Sequence, residues 1–259
     1  MIKLTTEDRP KTIVKPSPVV LNWYGNAFIF SAHGSDDIFC RRVADQTVYT
    51  VLDASYALAP EYPFPAAVED VEDLILQVLS QPDEYDPGNI VLSGFSSGAN
   101  LALAAAGNPD HSKIPSKAIR AVLVFYPPTN MTVHPADKKL PDGSLPDIPP
   151  VLRIMMSAFR DSYISPGVDP ANPRLSVINA DPNNFPDHML VITAEKDRLT
   201  PDAEELAAKL KETGKQVLLK RFDGVRHGWD KTRDEESNEA KVRDEAYELV
   251  IKFLSDIKQ

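Results

Sequence analysis

A chain of 259 residues with 42% hydrophobic content is long enough for one large α/β domain and buries a substantial core. Its net charge of −10, uninterrupted by any basic cluster, argues against nucleic acid and anionic lipid surfaces as partners, and no apolar stretch approaches the roughly 20 residues of a membrane span. The single Cys40 can form no internal disulfide and the first ten residues lack the apolar run of a secretory signal, so a cytoplasmic location is expected.

Residues 1–17 are polar, and beyond Thr12-Ile13-Val14 they show little periodicity, enough for one edge strand at most. Val19–Trp23 reads as a buried strand that runs into a turn at Gly25, and Ile38–Gln46 has helical spacing before the next strand, Val48–Leu52. The proline-rich stretch Tyr56–Ala67 should be largely extended, because proline fixes its own φ and restricts the residue before it. Ala67, Val71, Leu74, Ile75 and Val78 mark one face of the helix that follows. Val91–Ser93 is a strand leading into Gly94, and Ala121–Phe125 is another. Alternation then stops between Tyr126 and Asp187, a stretch rich in proline around one helix, Val151–Ser162; so long an irregular insertion is expected to be a lid or cap over about 127–187. Met189–Thr193 resumes the strands, Thr200-Pro201 starts a helix with Thr200 as its cap, Gln216–Phe222 is the last strand, and Val242–Ile257 lines a closing helix. Alternating strands and helices predict an α/β fold with a mostly parallel central sheet covered on both faces, organised as a single domain over 1–259.

The chemistry concentrates at Gly94-Phe95-Ser96-Ser97-Gly98, an apolar strand that delivers a serine between two glycines and opens a helix at once. Such a G-x-S-x-G elbow exposes Ser96 at a strained turn and aims the helix N-terminus, with the Ser97 N–H, at developing negative charge. A serine hydroxyl is a poor nucleophile at neutral pH, so it needs a base and the base needs an orienting acid. Of the five histidines, His227 follows the last strand and precedes the last helix, which puts it at the edge of the sheet beside the elbow. The order Ser…Asp/Glu…His then requires a carboxylate between them at a strand end, and Asp197 fits better than Glu195 or Asp202; the bland alternative is a solvated Asp197 paired with Arg198 or Lys196. No His/Cys/Asp cluster has ligand spacing, so no metal or organic cofactor is expected.

On these residues the chain resembles the hormone-sensitive-lipase-like serine esterases of the alpha/beta hydrolase fold-3 group, closest in flavour to fungal members. Gly94–Asn100 is similar to that family's G-D-S-A-G-G-N, Tyr56–Ala66 to its Y-R-L-A-P-E-x-x-F-P-A, and Asp197 and His227-Gly228 to its D-x-L and H-G-F. The resemblance runs from about Val19 to the C-terminus. It implies an α/β-hydrolase fold and a carboxylic ester hydrolase working on small-molecule esters through an acyl-enzyme, with Ser96, Asp197 and His227 as its triad. The family's H-G-G-G-type loop corresponds to Tyr24–Phe28, which implies an oxyanion hole from Gly25, Asn26 and Ser97. The pocket is expected from Tyr24, Phe28, Phe95, Met155, Met156, Phe159 and Trp229. Departures stand at Tyr24 in place of His, Asn26, Ala27 and Ala99 in place of Gly, and Phe95 in place of an acid. Family members also carry N-terminal cap helices, and only 18 residues precede Val19, so one wall of the pocket should be open to bulky alcohol groups or covered by a second copy in a homodimer. A lactonase, amidase or deacetylase would use the same triad, and a non-catalytic small-molecule receptor could share the fold.

Overall fold

A computed structural model describes residues 2–4, 15–108, 114–115 and 117–257. Seven strands form one sheet: β1 (Ile2–Leu4), β2 (Ser17–Trp23), β3 (Thr50–Ala54), β4 (Tyr85–Phe95), β5 (Ile119–Phe125), β6 (His188–Lys196) and β7 (Gln216–Arg226), in the order β1-β3-β2-β4-β5-β6-β7. Strands β2 to β7 pair in parallel, and only the edge strand β1 runs antiparallel, against β3. The one edge strand that residues 1–17 allow is β1, at Ile2–Leu4, whereas Thr12-Ile13-Val14 lie outside the described residues.

Strand parity divides the core. Along β4, Ile90 and Leu92 face one side and Val91 and Phe95 the other, as the two-residue repeat of a strand requires. The first side packs against α2 (Ala66–Leu79), α3 (Ser97–Ala106) and α5 (Thr200–Glu212), the second against α1 (Asp37–Gln46) and α6 (Asn238–Ile257). Helix α4 (Pro150–Tyr163) falls between β5 and β6, within the proline-rich stretch. No described helix is long and apolar enough to cross a membrane.

Two local expectations change. Thr200 is the first residue of α5 rather than its cap, because its hydroxyl donates to the Ala194 carbonyl at 2.7 Å and ties the helix start to β6. The stretch after β3 is a series of turns rather than an extended run; the Asp70 carboxylate draws it back by accepting from the Ala57 N–H at 2.7 Å.

Helix α3 is buried on every side, and at its start clearance vanishes. A Cβ at Gly98 would stand 2.0 Å from the Trp23 carbonyl oxygen, and one at Gly94 would stand 2.4 Å from the Gly98 carbonyl carbon. Alanine is the better helix former by about 1 kcal/mol, yet backbone atoms so close cannot give way. Gly98→Ala is therefore expected to destabilise the fold by about 3 kcal/mol or more, read as a fall in the denaturant midpoint; an unchanged midpoint contradicts this packing.

Candidate active site

The parallel sheet brings the C-terminal ends of β2, β4, β6 and β7 to one edge, where ligands bind in such folds. Ser96 follows β4 directly and sits at φ 49°, ψ −117°, a conformation that L-residues adopt only when their surroundings enforce it. Its N–H donates to the Phe125 carbonyl at 3.0 Å, and its own carbonyl accepts from Asn100 N–H at 3.1 Å. With the backbone held on both sides, the hydroxyl projects from the turn. Ser96 Oγ lies 2.9 Å from His227 Nε2, and His227 Nδ1 lies 2.7 Å from Asp197 Oδ2. The other Asp197 oxygen accepts the Leu199 N–H at 3.0 Å, which fixes the carboxylate. Asp197 is buried, whereas the imidazole is open on its cavity side.

The two rejected carboxylates have other partners. Glu195 accepts the Gly224 N–H at 2.7 Å, bracing the loop that carries His227, and Asp202 pairs with Lys138. His33 lies in the turn before α1, 3.7 Å from Asp53, His188 begins β6, and His134 bonds Ser157 at 2.9 Å. His111 lies outside the described residues.

Below the imidazole is a buried polar layer. The Tyr126 ring packs edge-on to His227 with centroids 4.6 Å apart, and its hydroxyl donates to Asp230 at 2.5 Å. Tyr247 donates to the other Asp230 oxygen at 3.1 Å, and Lys231 bridges Asp230 and Asp36, each at 2.7 Å. From Asp36 the layer continues through Asn22 to Asp53 and Ser93, all at 2.9 Å. Burial, reinforced by Asp230, pushes the Tyr126 hydroxyl well above its ordinary range, so it stays a donor. For His227, burial disfavours the charged ring, but the charge of Asp197 and its hydrogen bond, with Asp230 behind, outweigh that and raise the pKa.

The loop after β2 approaches the elbow closely, with Gly25 so near that a Cβ there would meet Ser96 Cβ at 2.7 Å. Its backbone corrects the expected oxyanion hole. The Asn26 N–H is not free, because it donates to Ser97 Oγ at 2.9 Å; Tyr56 joins that hydroxyl at 3.1 Å and donates to the Tyr24 carbonyl at 3.0 Å. Gly25 supplies clearance and does not reach the cavity wall. The loop residue beside Ser96 and Ser97 on that wall is Ala27, turned to φ 56°. The Ser97 N–H, in the first turn of α3, has no intrahelical acceptor.

A cavity of about 330 Å³ opens over Ser96 and His227. Phe28, Met156 and Phe159 line it, as expected, but four other expected residues do not. Phe95 shares the parity of Val91, so it packs with Phe39 and Phe125 under the Lys231 ammonium. Trp229 is in the same core against Tyr126 and Phe222, and Tyr24 stacks on Tyr56. Met155 points outward and is 45% exposed, because one residue of helix turns the side chain by about 100° from Met156. The inward stripe of α4 is instead Met156, Phe159, Arg160 and Tyr163, and Tyr163 stacks on Phe28 with centroids 3.9 Å apart. Lys138, Arg160 and Arg198 also line the cavity and went unsingled in the sequence. Arg198 had a signal, its place beside Asp197, but it read as a solvated partner. Among the described residues no group of three His, Cys, Asp or Glu converges as a metal ion would need.

Comparison with known proteins gives consistent relatives. The alpha/beta hydrolase fold family matches residues 20–231. A carboxylic ester hydrolase of Mycobacterium tuberculosis, LipN, is 28% identical over 222 residues, covering 82% of this chain but 57% of its own length. An arylesterase of Saccharolobus solfataricus is 28% identical over 238 residues, covering 88% of this chain and 75% of its own. Among solved structures, an esterase of Pyrobaculum calidifontis superposes with a TM-score of 0.79 at 30% identity, covering 93% of this chain and 77% of that one.

The His227 imidazole is expected to titrate above the ordinary histidine range, and Asp197→Asn to lower its pKa by removing the attraction that favours the charged ring. NMR titration of the ring protons reads both, and an unshifted pKa in the variant would show that Asp197 does not act on the ring.

Proposed function

Since this chain belongs to the alpha/beta hydrolase fold family, in its hormone-sensitive-lipase-like branch, we propose that it is a serine hydrolase cleaving carboxylic esters of small molecules through an acyl-enzyme. The observation that carries this reading is the unbroken run of contacts from Ser96 Oγ through both imidazole nitrogens to Asp197, set on a strained elbow. Ser96 attacks the acyl carbon while His227 Nε2 takes its proton. The oxyanion is held by the N–H groups of Ser97 and Ala27, the loop amide left over once Asn26 is engaged by the Ser97 hydroxyl. His227 then protonates the departing alcohol and activates the water that releases the acid. Asp197 keeps the proton on Nδ1 and stabilises the charged ring between these steps. Residues 127–187 serve as the cap, with α4 as its wall.

Ser96→Ala is expected to lower kcat on an aryl ester by roughly 10⁶-fold and to abolish fluorophosphonate labelling, with the fold retained. Labelling that persists in the variant removes Ser96 as nucleophile, and an unlabelled wild type favours the receptor alternative. Because the base works neutral, kcat/KM should fall as pH drops through the raised His227 pKa, an acid limb lying above that of an ordinary histidine. A rate independent of pH there would remove His227 from the role of base.

Two further points belong to the same reading. A lone, buried Cys40 suits the reducing cytosol. Val151, Leu152, Ile154 and Met155 leave an exposed apolar strip on α4, which supports pairing of two copies beside the site. Sedimentation should show a dimer that Ile154→Glu dissociates; a monomeric wild type refutes the pairing.

A further inference from the structure

The cavity wall is chiefly apolar, yet three cationic side chains line it, and their electrostatic circumstances differ. Lys138 is neutralised where it stands, by Asp202 and by the Asn130 carbonyl, to which it donates at 2.7 Å. Arg198 has no such partner. Among the described residues no carboxylate comes within ion-pair distance of its guanidinium, since its neighbour Asp197 is turned toward His227 and the Leu199 N–H. Its contacts are long, one terminal nitrogen 3.4 Å from the Pro135 carbonyl and 3.7 Å from Met156 Sδ. Arg160 is similar: among the described residues its one ion-pair partner is the exposed Asp161 at 3.4 Å, another N–H reaches the Met131 carbonyl at 3.4 Å, and its buried Nε has no acceptor.

A guanidinium carries five N–H donors and cannot shed its charge in a protein. Half-buried among methionine, phenylalanine and proline, Arg198 loses water and gains only the through-space attraction of Asp197, with no carboxylate hydrogen-bonded to its fork, so an anion entering the cavity would complete its bonding. A carboxylate fits best, because its two oxygens match the guanidinium fork and charge-assisted bonds gain strength where water is excluded. We propose that the cavity selects esters that carry a carboxylate, which Arg198 and Arg160 bind while the ester group lies against Ser96. This rests on the ester hydrolase reading and adds to it the charge of the substrate. It also runs against the net charge of −10, which disfavours anions at long range, so discrimination arises at the wall and not in the approach.

The test uses matched esters of one shape and two charges: 4-nitrophenyl hydrogen adipate against 4-nitrophenyl hexanoate, and 4-carboxyphenyl butyrate against its methyl ester. In at least one pair the wild type should favour the anion by about tenfold or more in kcat/KM, as charge-assisted hydrogen bonds allow. Rising KCl should erode that ratio. Arg198→Met and Arg160→Met should each lower it, and Arg198→Lys should restore part of it. Preference for the neutral ester in both pairs overturns the proposal, as does a ratio that neither salt nor the arginine substitutions move. Failure of the underlying reading looks different: no member of either pair is hydrolysed and Ser96 takes no fluorophosphonate.

Discussion

Everything at the sheet edge depends on the absence of three side chains beneath Ser96. Gly25, Gly94 and Gly98 let the β2 loop, the end of β4 and the start of α3 touch backbone to backbone, at separations where any Cβ would overlap a neighbouring atom. That contact brings Ala27, Ser96 and Ser97 together on one cavity wall, and the proposed oxyanion donors would stand there before substrate arrives. The strained serine costs of order 1–3 kcal/mol. It is held because β4 is paired on both sides, with β2 and with β5, and the Ser96 N–H extends the second ladder to Phe125.

The buried polar layer under His227 performs a second kind of fixing. Asp230, Lys231 and Asp36 tie the segment after His227 to α1, and Tyr126 and Tyr247 tie it to β5 and α6. Pairs of this kind add little net stability over apolar packing, but removing one partner strands the other, so the network disfavours departures from this arrangement. Here the position specified is that of the imidazole, against which the Tyr126 ring rests.

Much of this was legible in the chain, for identifiable reasons. The elbow, the following helix, and the acid and base at strand ends are local patterns whose meaning depends on order along the chain. What could not be read are matters of direction. Asn26 sits in the loop after β2, but only the position of the Ser97 hydroxyl decides that its amide is engaged there and leaves Ala27 as the loop residue proposed to donate. Phe95 and Trp229 adjoin site residues in sequence, and strand parity and the turn after His227 send both into the core. Met155 and Met156 look interchangeable until the phase of α4 is known. The charge on the wall was hidden differently: Arg198 is conspicuous beside Asp197, and only the bonds from His227 and the Leu199 N–H to that carboxylate show that the arginine feels its charge without a hydrogen bond to it.

The cavity is thus built from two structurally separate pieces. The sheet edge carries Ser96, Asp197 and His227, while α4, entered through Pro149-Pro150, carries Met156, Phe159, Arg160 and Tyr163 as one inward stripe. Those four residues are spaced at one and two helical turns and none belongs to the sheet. Divergence among relatives can therefore rewrite the α4 share of the wall by changing a single helix face, while the residues from other segments, Arg198 among them, vary separately. The same seam marks where a helix from a relative could be grafted to exchange one substrate range for another.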